Sequence, residues 1–372
     1  MNDQPIWLTF VVAFIIMNVL LIGMAYMTYF ERKVLATMQD RMGPTRTGPK
    51  GLLQPMADGI KLLGKEDLIP RAADKWVFFF APLVVFVGAI VSAAVIPFGT
   101  TAHLFGRDIN LFATDLNVGA LFVMAVSGIS VYGIILGAWA SANRFSLLGG
   151  LRAAAQVVSY ELILGLSLAG IFLLAGSLSL RDIMLEQQQN LSIGPLEIKN
   201  WYIFSQPLAF VIFLIAAVAE SNRAPFDLPE AETELISGFH TEYSAFRFSF
   251  YFLGEYIAMI VISLFASTLF LGGPSGPGST THWWLGIGYL FIGGLACECG
   301  DCAARQTQHH GSASHTWCLH MTSRVHVQCQ PPAVSRSRSR RRGGGRPSRI
   351  AAPSSARGAR LASDGRRRPP WW

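Results

Sequence analysis

The sequence predicts an all-α fold, a polytopic bundle of transmembrane helices with one amphipathic helix lying at the membrane interface. Three observations carry this reading. The 372 residues are 51% hydrophobic and only 14% charged. The apolar residues gather in runs with one charge or none, each long enough at about 1.5 Å per residue to cross a hydrocarbon core of about 30 Å. Lys and Arg are concentrated in alternate loops between those runs, as membrane topology requires.

Taken in order, Ile6–Phe30 carries no charge and forms the first span. It has no basic n-region and no small-residue cleavage site, so it is expected to stay on the protein. Trp76–Ile96 and Val118–Ala142 are uncharged. Ala153–Leu180 carries one charge, Glu161, and Phe248–Leu271 carries one, Glu255. Trp201–Ala219 is largely apolar. That gives six full spans. A seventh begins at Trp283 but loses its apolar character near Ala296.

With the N-terminus outside, the loops after spans one, three and five face the cytoplasm. They hold thirteen Lys and Arg, against Arg107, Arg181 and Lys199 opposite. This is a clear positive-inside bias.

The chain divides at about residue 295, with a membrane part before it and a different composition over 296–372. The tail holds all five Cys, five of the eight His and 14 Arg with no Lys. Without it the chain has 16 basic and 20 acidic residues, net −4. The basic pI therefore gives no case for nucleic acid. A disordered basic tail is one reading. The preferred hypothesis is out-of-frame translation of GC-rich DNA, because residue usage changes abruptly inside an apolar run. Tail peptides found by mass spectrometry, with an unbroken frame in fresh DNA, would overturn it. Cys297, Cys299 and Cys302 beside His309 and His310 fit no common structural zinc spacing, so no metal site is assigned.

Several chemistries lack their residues. The membrane part has no Cys and hence no iron–sulfur framework. No glycine-rich nucleotide fingerprint follows a strand. His103, His240 and His282 are separated, and no Ser/His/Asp constellation is recognisable. Redox chemistry would have to borrow a cofactor from a partner.

Three features do carry chemistry. The first is AESNRAPFDLPEAETELISGFHTEYSAFRFSFYFLGEY, residues 219–256. Glu220, Asp227, Glu230, Glu232, Glu234 and Glu242 are answered within it by Arg223 and Arg247 alone. Asp227 with Glu230 resembles a capping box, Pro229 suits a first turn, and Gly238 is a good stop, so a short helix is expected over about 228–237. Most acidic runs are solvated loops. Glu255 inside the following apolar run favours a functional one.

The second feature is the loop TYFERKVLATMQDRMGPTRTGPKGLLQPMADGIKLLGKE. Glu31-Arg32-Lys33 is expected to end the first span at the headgroups. Gly43-Pro44 and Gly48-Pro49 mark turns. Gly51–Gly64 reads as an amphipathic helix with Leu52, Met56, Ile60 and Leu63 on one face, suited to the interface plane. A plain lipid-surface anchor has the same pattern. Asp58 and Lys61, three apart, are spaced to pair.

The third is the pair of intramembrane acids, Glu161 and Glu255. A carboxyl at such depth costs several kcal/mol unless paired, hydrated or neutralised, so it marks either a structural pair or a proton-handling group. The acids in the adjoining loops favour the latter.

ERKVLATMQDRMGPTRTGPKGLLQPMADGIKLLGKE, RAAAQVVSYELILG and the acidic stretch closely resemble the quinone-site membrane subunit family of respiratory complex I. The likeness covers residues 1 to about 295 in order. Membrane-bound hydrogenases carry a similar subunit. The resemblance implies an all-helical subunit, normally of eight spans, in a multi-pass bacterial inner-membrane complex. It implies one wall of a quinone chamber, completed by peripheral subunits that hold the iron–sulfur cluster and flavin, with no cofactor on this chain alone and quinone as substrate. By motif position, Arg32, Arg41, Gln54, Asp58 and Lys61 are expected at the chamber or its entrance. Glu31, Glu161, Glu220, Asp227, Glu230, Glu232, Glu234, Glu242 and Glu255 are expected on the proton path, with Arg223 and Arg247 as counter-charges. Glu161, Glu220 and Glu255 are expected to converge. An ion carrier without a redox partner and a membrane anchor for a soluble enzyme are the competing classes. The tail departs from the family, whose seventh span, Arg/Pro-rich loop and eighth span are not recognisable here.

Overall fold

A computed structural model describes residues 6–39, 41–99, 101–104, 107–193, 196–222, 226, 229 and 237–274. All lie in the first of two compact units, residues 1–319; the second, 320–372, lies outside the described residues, as do the seventh apolar run and the boundary near 295.

The described residues form nine α-helices: α1 (Ile6–Met38), α2 (Gln54–Gly64), α3 (Lys75–Ala93), α4 (Gly119–Ala140), α5 (Arg144–Ala175), α6 (Leu180–Gln187), α7 (Tyr202–Ser205), α8 (Pro207–Glu220) and α9 (Ala245–Phe270). Five of them, α1, α3, α4, α5 and α9, are long and apolar enough to cross a membrane. The expected fifth span is shorter than predicted. Gln206 leaves helical geometry (φ −136°, ψ 62°) before Pro207, so the run divides into one turn and a 14-residue helix. Pro207 has no N–H to continue the ladder. Fourteen residues reach about 21 Å, less than the hydrocarbon core.

Two further differences have local causes. Helix α1 does not stop at Glu31-Arg32-Lys33 but runs to Met38. Its last residues are good helix formers, and long basic side chains keep their heads in water while their stems stay apolar. Helix α2 starts at Gln54 rather than Gly51, because Lys50 (φ 57°) and Gly51 (φ 85°) adopt left-handed backbone in the preceding 3-10 turn. There are also two short antiparallel hairpins that the helical pattern does not announce: β1 (Thr101–Leu104) with β2 (Arg107–Asn110), and β3 (Asn190–Ile193) with β4 (Leu196–Lys199). They follow α3 and α6, in the loops of the less basic side.

Helix starts follow side-chain chemistry. Asp74 caps α3 by accepting from Trp76 N, and Asn143 caps α5 by accepting from Phe145 N at 3.0 Å. Ser179 does the same for α6. Gly176, left-handed at φ 62°, ends α5.

Helix α9 is the axis of the bundle. Its apolar window is 72% buried, against 17% for α1. Ile257, Leu264, Phe265, Leu269 and Phe270 of α9 pack with Leu20 of α1, Leu168 and Ile171 of α5 and Phe213 of α8. Burial of each such side chain is worth about 1.5–3 kcal/mol relative to water, which in a bilayer is replaced largely by dispersion packing.

The loops assigned to the basic side meet one another. Leu68 N donates to Ser244 Oγ at 2.9 Å, Ser146 Oγ donates to Phe239 O at 2.8 Å, and Asn143 Nδ2 donates to Glu242 at 2.6 Å. This close approach depends on Gly149, where a Cβ would stand 2.8 Å from Gly238 C and Phe239 N. The expectation that the charged loops share one face is met by direct contact.

Candidate functional site

At the basic end, α1 and α2 are joined through polar side chains. Arg32 Nη1 lies 2.6 Å from Asp58 Oδ2, and Gln54 Nε2 donates to Asp58 Oδ1 at 3.0 Å. Thr47 donates to Gln54 in turn. The cation that Asp58 takes is therefore Arg32 and not Lys61, which is exposed. Charge-assisted bonds of this kind are stronger than neutral ones, and an Arg fork suits a carboxylate. Arg41 stands apart from this set, exposed, with Nε donating to Gln39 Oε1 at 2.6 Å. The apolar face of α2 is open, with Met56, Ile60 and Leu63 each about two-thirds exposed. On the isolated chain that exposure is what an interface helix requires.

Glu31, one position before Arg32, points the other way. It is buried, and Tyr256 Oη donates to its carboxylate at 2.5 Å. Tyr256 belongs to α9, and the sequence offered no sign of this contact.

Beside α9 lies a cavity of about 130 Å³ lined by Glu220 and Glu255 together with Ser92, Ser127, Ser130 and Tyr251. Glu220 is the last residue of α8 and lies within hydrogen-bond reach of Ser127 and within electrostatic reach of Glu161. Glu161, near the middle of α5, packs on α4 at Gly128; a Cβ there would sit 2.8 Å from Glu161 Oε1. Helix α4 thus presents a small residue pair, Ser127-Gly128, to both acids. Of the three carboxylates expected to converge, Glu220 and Glu255 line this cavity, while Glu161 lies near Glu220 against α4 and is not among the lining residues.

The start of the acidic stretch is held by Gln156 of α5. Its Nε2 donates to Ala219 O (2.8 Å) and Phe226 O (2.7 Å), and Asn222 Oδ1 is 3.4 Å away. Tyr160, one turn on, packs against Phe226 with ring centroids 5.4 Å apart. Arg223, Asp227, Glu230, Glu232 and Glu234, and the expected helix over 228–237, lie outside the described residues.

Glu242 accepts from Asn143, at the edge of this cluster. Arg247, expected to answer the acidic stretch, has another partner among the described residues. Its Nε lies 3.0 Å from Asp67 of the first loop, and its guanidinium covers the rings of Phe78 and Phe79. Asp67 carried no sequence signal beyond its charge.

An aromatic group packs beside Phe239 and Tyr251, which line the cavity. Tyr243 stacks on Phe78 at 4.0 Å and meets Tyr251 edge-on, and their hydroxyls donate to the carbonyls of Gly137 and Gly133. Burial pushes the Tyr243 phenol up to about 12. His240 sits between Phe239 and Phe248, and burial pulls its imidazole down to about 4, so it is neutral at pH 7.

This geometry accords with what the chain is similar to. A family model described as NADH dehydrogenase matches residues 11–297. The H subunit of NADH-quinone oxidoreductase from Thermomicrobium roseum is 64% identical over 292 residues, covering 78% of this chain and 86% of that protein. The first-numbered H subunit of Geobacter metallireducens is 52% identical over 273 residues (72% and 80%). The second-numbered one of Geobacter sulfurreducens is 52% identical over 263 residues (71% and 77%). With a family model matching residues 11–297 and relatives 52–64% identical over more than two thirds of both chains, the chain belongs to the NADH dehydrogenase family of complex I membrane subunits, typified by the H subunit of NADH-quinone oxidoreductase.

Proposed function

We propose that this chain forms one wall of the quinone chamber of an NADH–quinone oxidoreductase in a bacterial inner membrane and passes the protonic response to quinone reduction into the membrane arm. The observation that carries this reading is that Glu220 and Glu255 line one cavity beside α9, with Glu161 near Glu220 against α4. Its partners are peripheral subunits that hold the iron–sulfur cluster and flavin, and further membrane subunits; this chain binds neither group.

Quinone reduction takes up two electrons and two protons. The open apolar face of α2 is suited to guiding an isoprenoid tail from the bilayer, and Arg32, Gln54 and Asp58 fix that helix to α1. Glu31 and Tyr256 stand between that end and the acid cavity. A change of charge in the chamber alters the proton affinity of nearby carboxylates, and a coupled group of acids redistributes its protons in response. Such intramembrane acids are costly without a role.

Glu→Gln at 161, 220 and 255 keeps side-chain size and removes the titrating charge. Each is expected to lower quinone-linked NADH oxidation about tenfold or more. NADH–ferricyanide activity on the same membranes, which bypasses this subunit, is expected to be unchanged. If all three variants assemble on a native gel and keep full quinone reduction and proton pumping, the acids are structural.

A further inference from the structure

Helix α2 has no buried residue, so apolar packing within this chain does little to hold it. Its first turns are tied to α1 through Asp58. At its other end the chain leaves through ten residues, 65–74, before α3 begins. This linker is mostly exposed, yet adjacent residues fasten it to the first turn of α9. Asp67 Oδ2 is 3.0 Å from Arg247 Nε, and Leu68 N donates to the hydroxyl of Ser244, the residue that precedes α9.

Arg247 is not an ordinary surface cation. Its side chain is only 16% exposed, it lies over Phe78 (5.4 Å) and Phe79 (5.7 Å) of α3, and its Nη1 is buried without a hydrogen-bond partner. Exposed ion pairs contribute little. A guanidinium already desolvated by two aromatic rings behaves differently, because loss of its carboxylate leaves a buried charge uncompensated. One side chain of α9 thus grips α3 through its rings and the α2–α3 linker through its ion pair.

We infer that Asp67 and Arg247 form a positioning clasp that sets where the C-terminal end of α2 lies against α9, and so how readily a long-tailed quinone passes α2. The inference rests on the reading of α2 as the flank of the quinone entrance. Neither residue touches substrate. The effect belongs to access, so it falls on KM for quinone and spares kcat.

The test uses membranes holding the assembled complex. Asp67→Asn is expected to raise KM for a long-tailed quinone about fivefold with kcat within about twofold. NADH–ferricyanide activity stays level, and Asp67→Glu recovers most of the affinity. Ser244→Ala, which removes the second tie, is expected to raise KM about twofold and carries the test should Asp67→Asn fail to assemble. Met56→Glu, which puts a charge on the open face of α2, separates the two readings. A raised KM in Met56→Glu with wild-type KM in Asp67→Asn or Ser244→Ala overturns the clasp alone. Wild-type KM in all of them overturns the entrance reading and the clasp with it.

Discussion

The hydroxyl of Tyr256 donates to the buried carboxylate of Glu31 at 2.5 Å, across 225 positions of sequence. Neighbouring helical residues point about 100° apart, so Tyr256 faces α1 while Glu255 faces the cavity that Glu220 also lines. Helix α9 therefore stands between the α1–α2 end, where Arg32 holds Asp58, and the acid cluster.

Tyr256→Phe keeps the ring and removes the donor. A buried carboxylate that loses a hydrogen bond loses roughly 1.5–3 kcal/mol. Quinone-linked turnover is expected to fall severalfold, while ferricyanide reduction and subunit levels hold. A purely structural contact would lower subunit levels and leave the turnover of the surviving enzyme unchanged.

Two glycines of α4 separate packing from charge. At Gly137 a Cβ would collide with Tyr251 Oη, which is itself buried and aimed at the Gly133 carbonyl. Gly137→Ala is expected to force α4 and α9 apart at a cost of about 1–3 kcal/mol and to show as reduced subunit in membranes. At Gly128 the Cβ would meet the end of the Glu161 side chain at 2.8 Å. Gly128→Ala is expected to assemble and to change quinone-linked turnover, because a carboxylate can move where a buried tyrosine cannot. Equal loss of subunit in both would contradict this division.

His240 gives the basic end an acid sensitivity. Its folded value of about 4 lies below the ordinary value of 6.5, so between these pH values the unfolded chain binds the extra proton. Stability from this group is full above pH 6.5 and is lost as pH falls toward 4. The difference corresponds to an upper limit of about 3 kcal/mol. Thermal inactivation of the purified complex at pH 7 and pH 5, compared for the native chain and His240→Gln, checks this. The variant is expected to lose less stability on acidification; identical acid sensitivity would remove His240 as the cause.

Removing Asp58 tests the other end. Asp58→Asn keeps the shape and the contact with Gln54 but takes the negative charge from Arg32. The pair is part-exposed, so its loss is expected to cost under about 1 kcal/mol of stability. Its functional cost is expected to be larger, seen as a raised KM for quinone. An unchanged KM together with unchanged thermal stability would show that the pair does neither.

The residues legible beforehand were those whose behaviour is local. Hydropathy over about twenty residues located α1, α3, α4, α5 and α9 to within a few residues, except at the ends of α1 and α5. The fifth run was apolar enough to suggest a span, but Pro207 broke its helical ladder. The acids of the site were visible as charges in the wrong solvent, which needs no knowledge of neighbours. Their partners were not visible. Arg32 takes Asp58 from 26 positions away, Glu31 takes Tyr256, and Arg247 takes Asp67 of the α2–α3 linker, each by the approach of segments that share no sequence period.

By itself, then, the sequence determined a membrane bundle, the face on which its charged loops lie and the side chains able to hold protons, because transfer free energy, loop charge and acidity belong to residues and short runs. Only the tertiary structure decided that Glu161 and Glu220 meet beside Ser127-Gly128, that Tyr256 reaches Glu31 and that Asp67 holds Arg247. Those pairings depend on helix crossings and on the absence of a Cβ at positions such as Gly128 and Gly137, where a single methyl group would keep the partners apart.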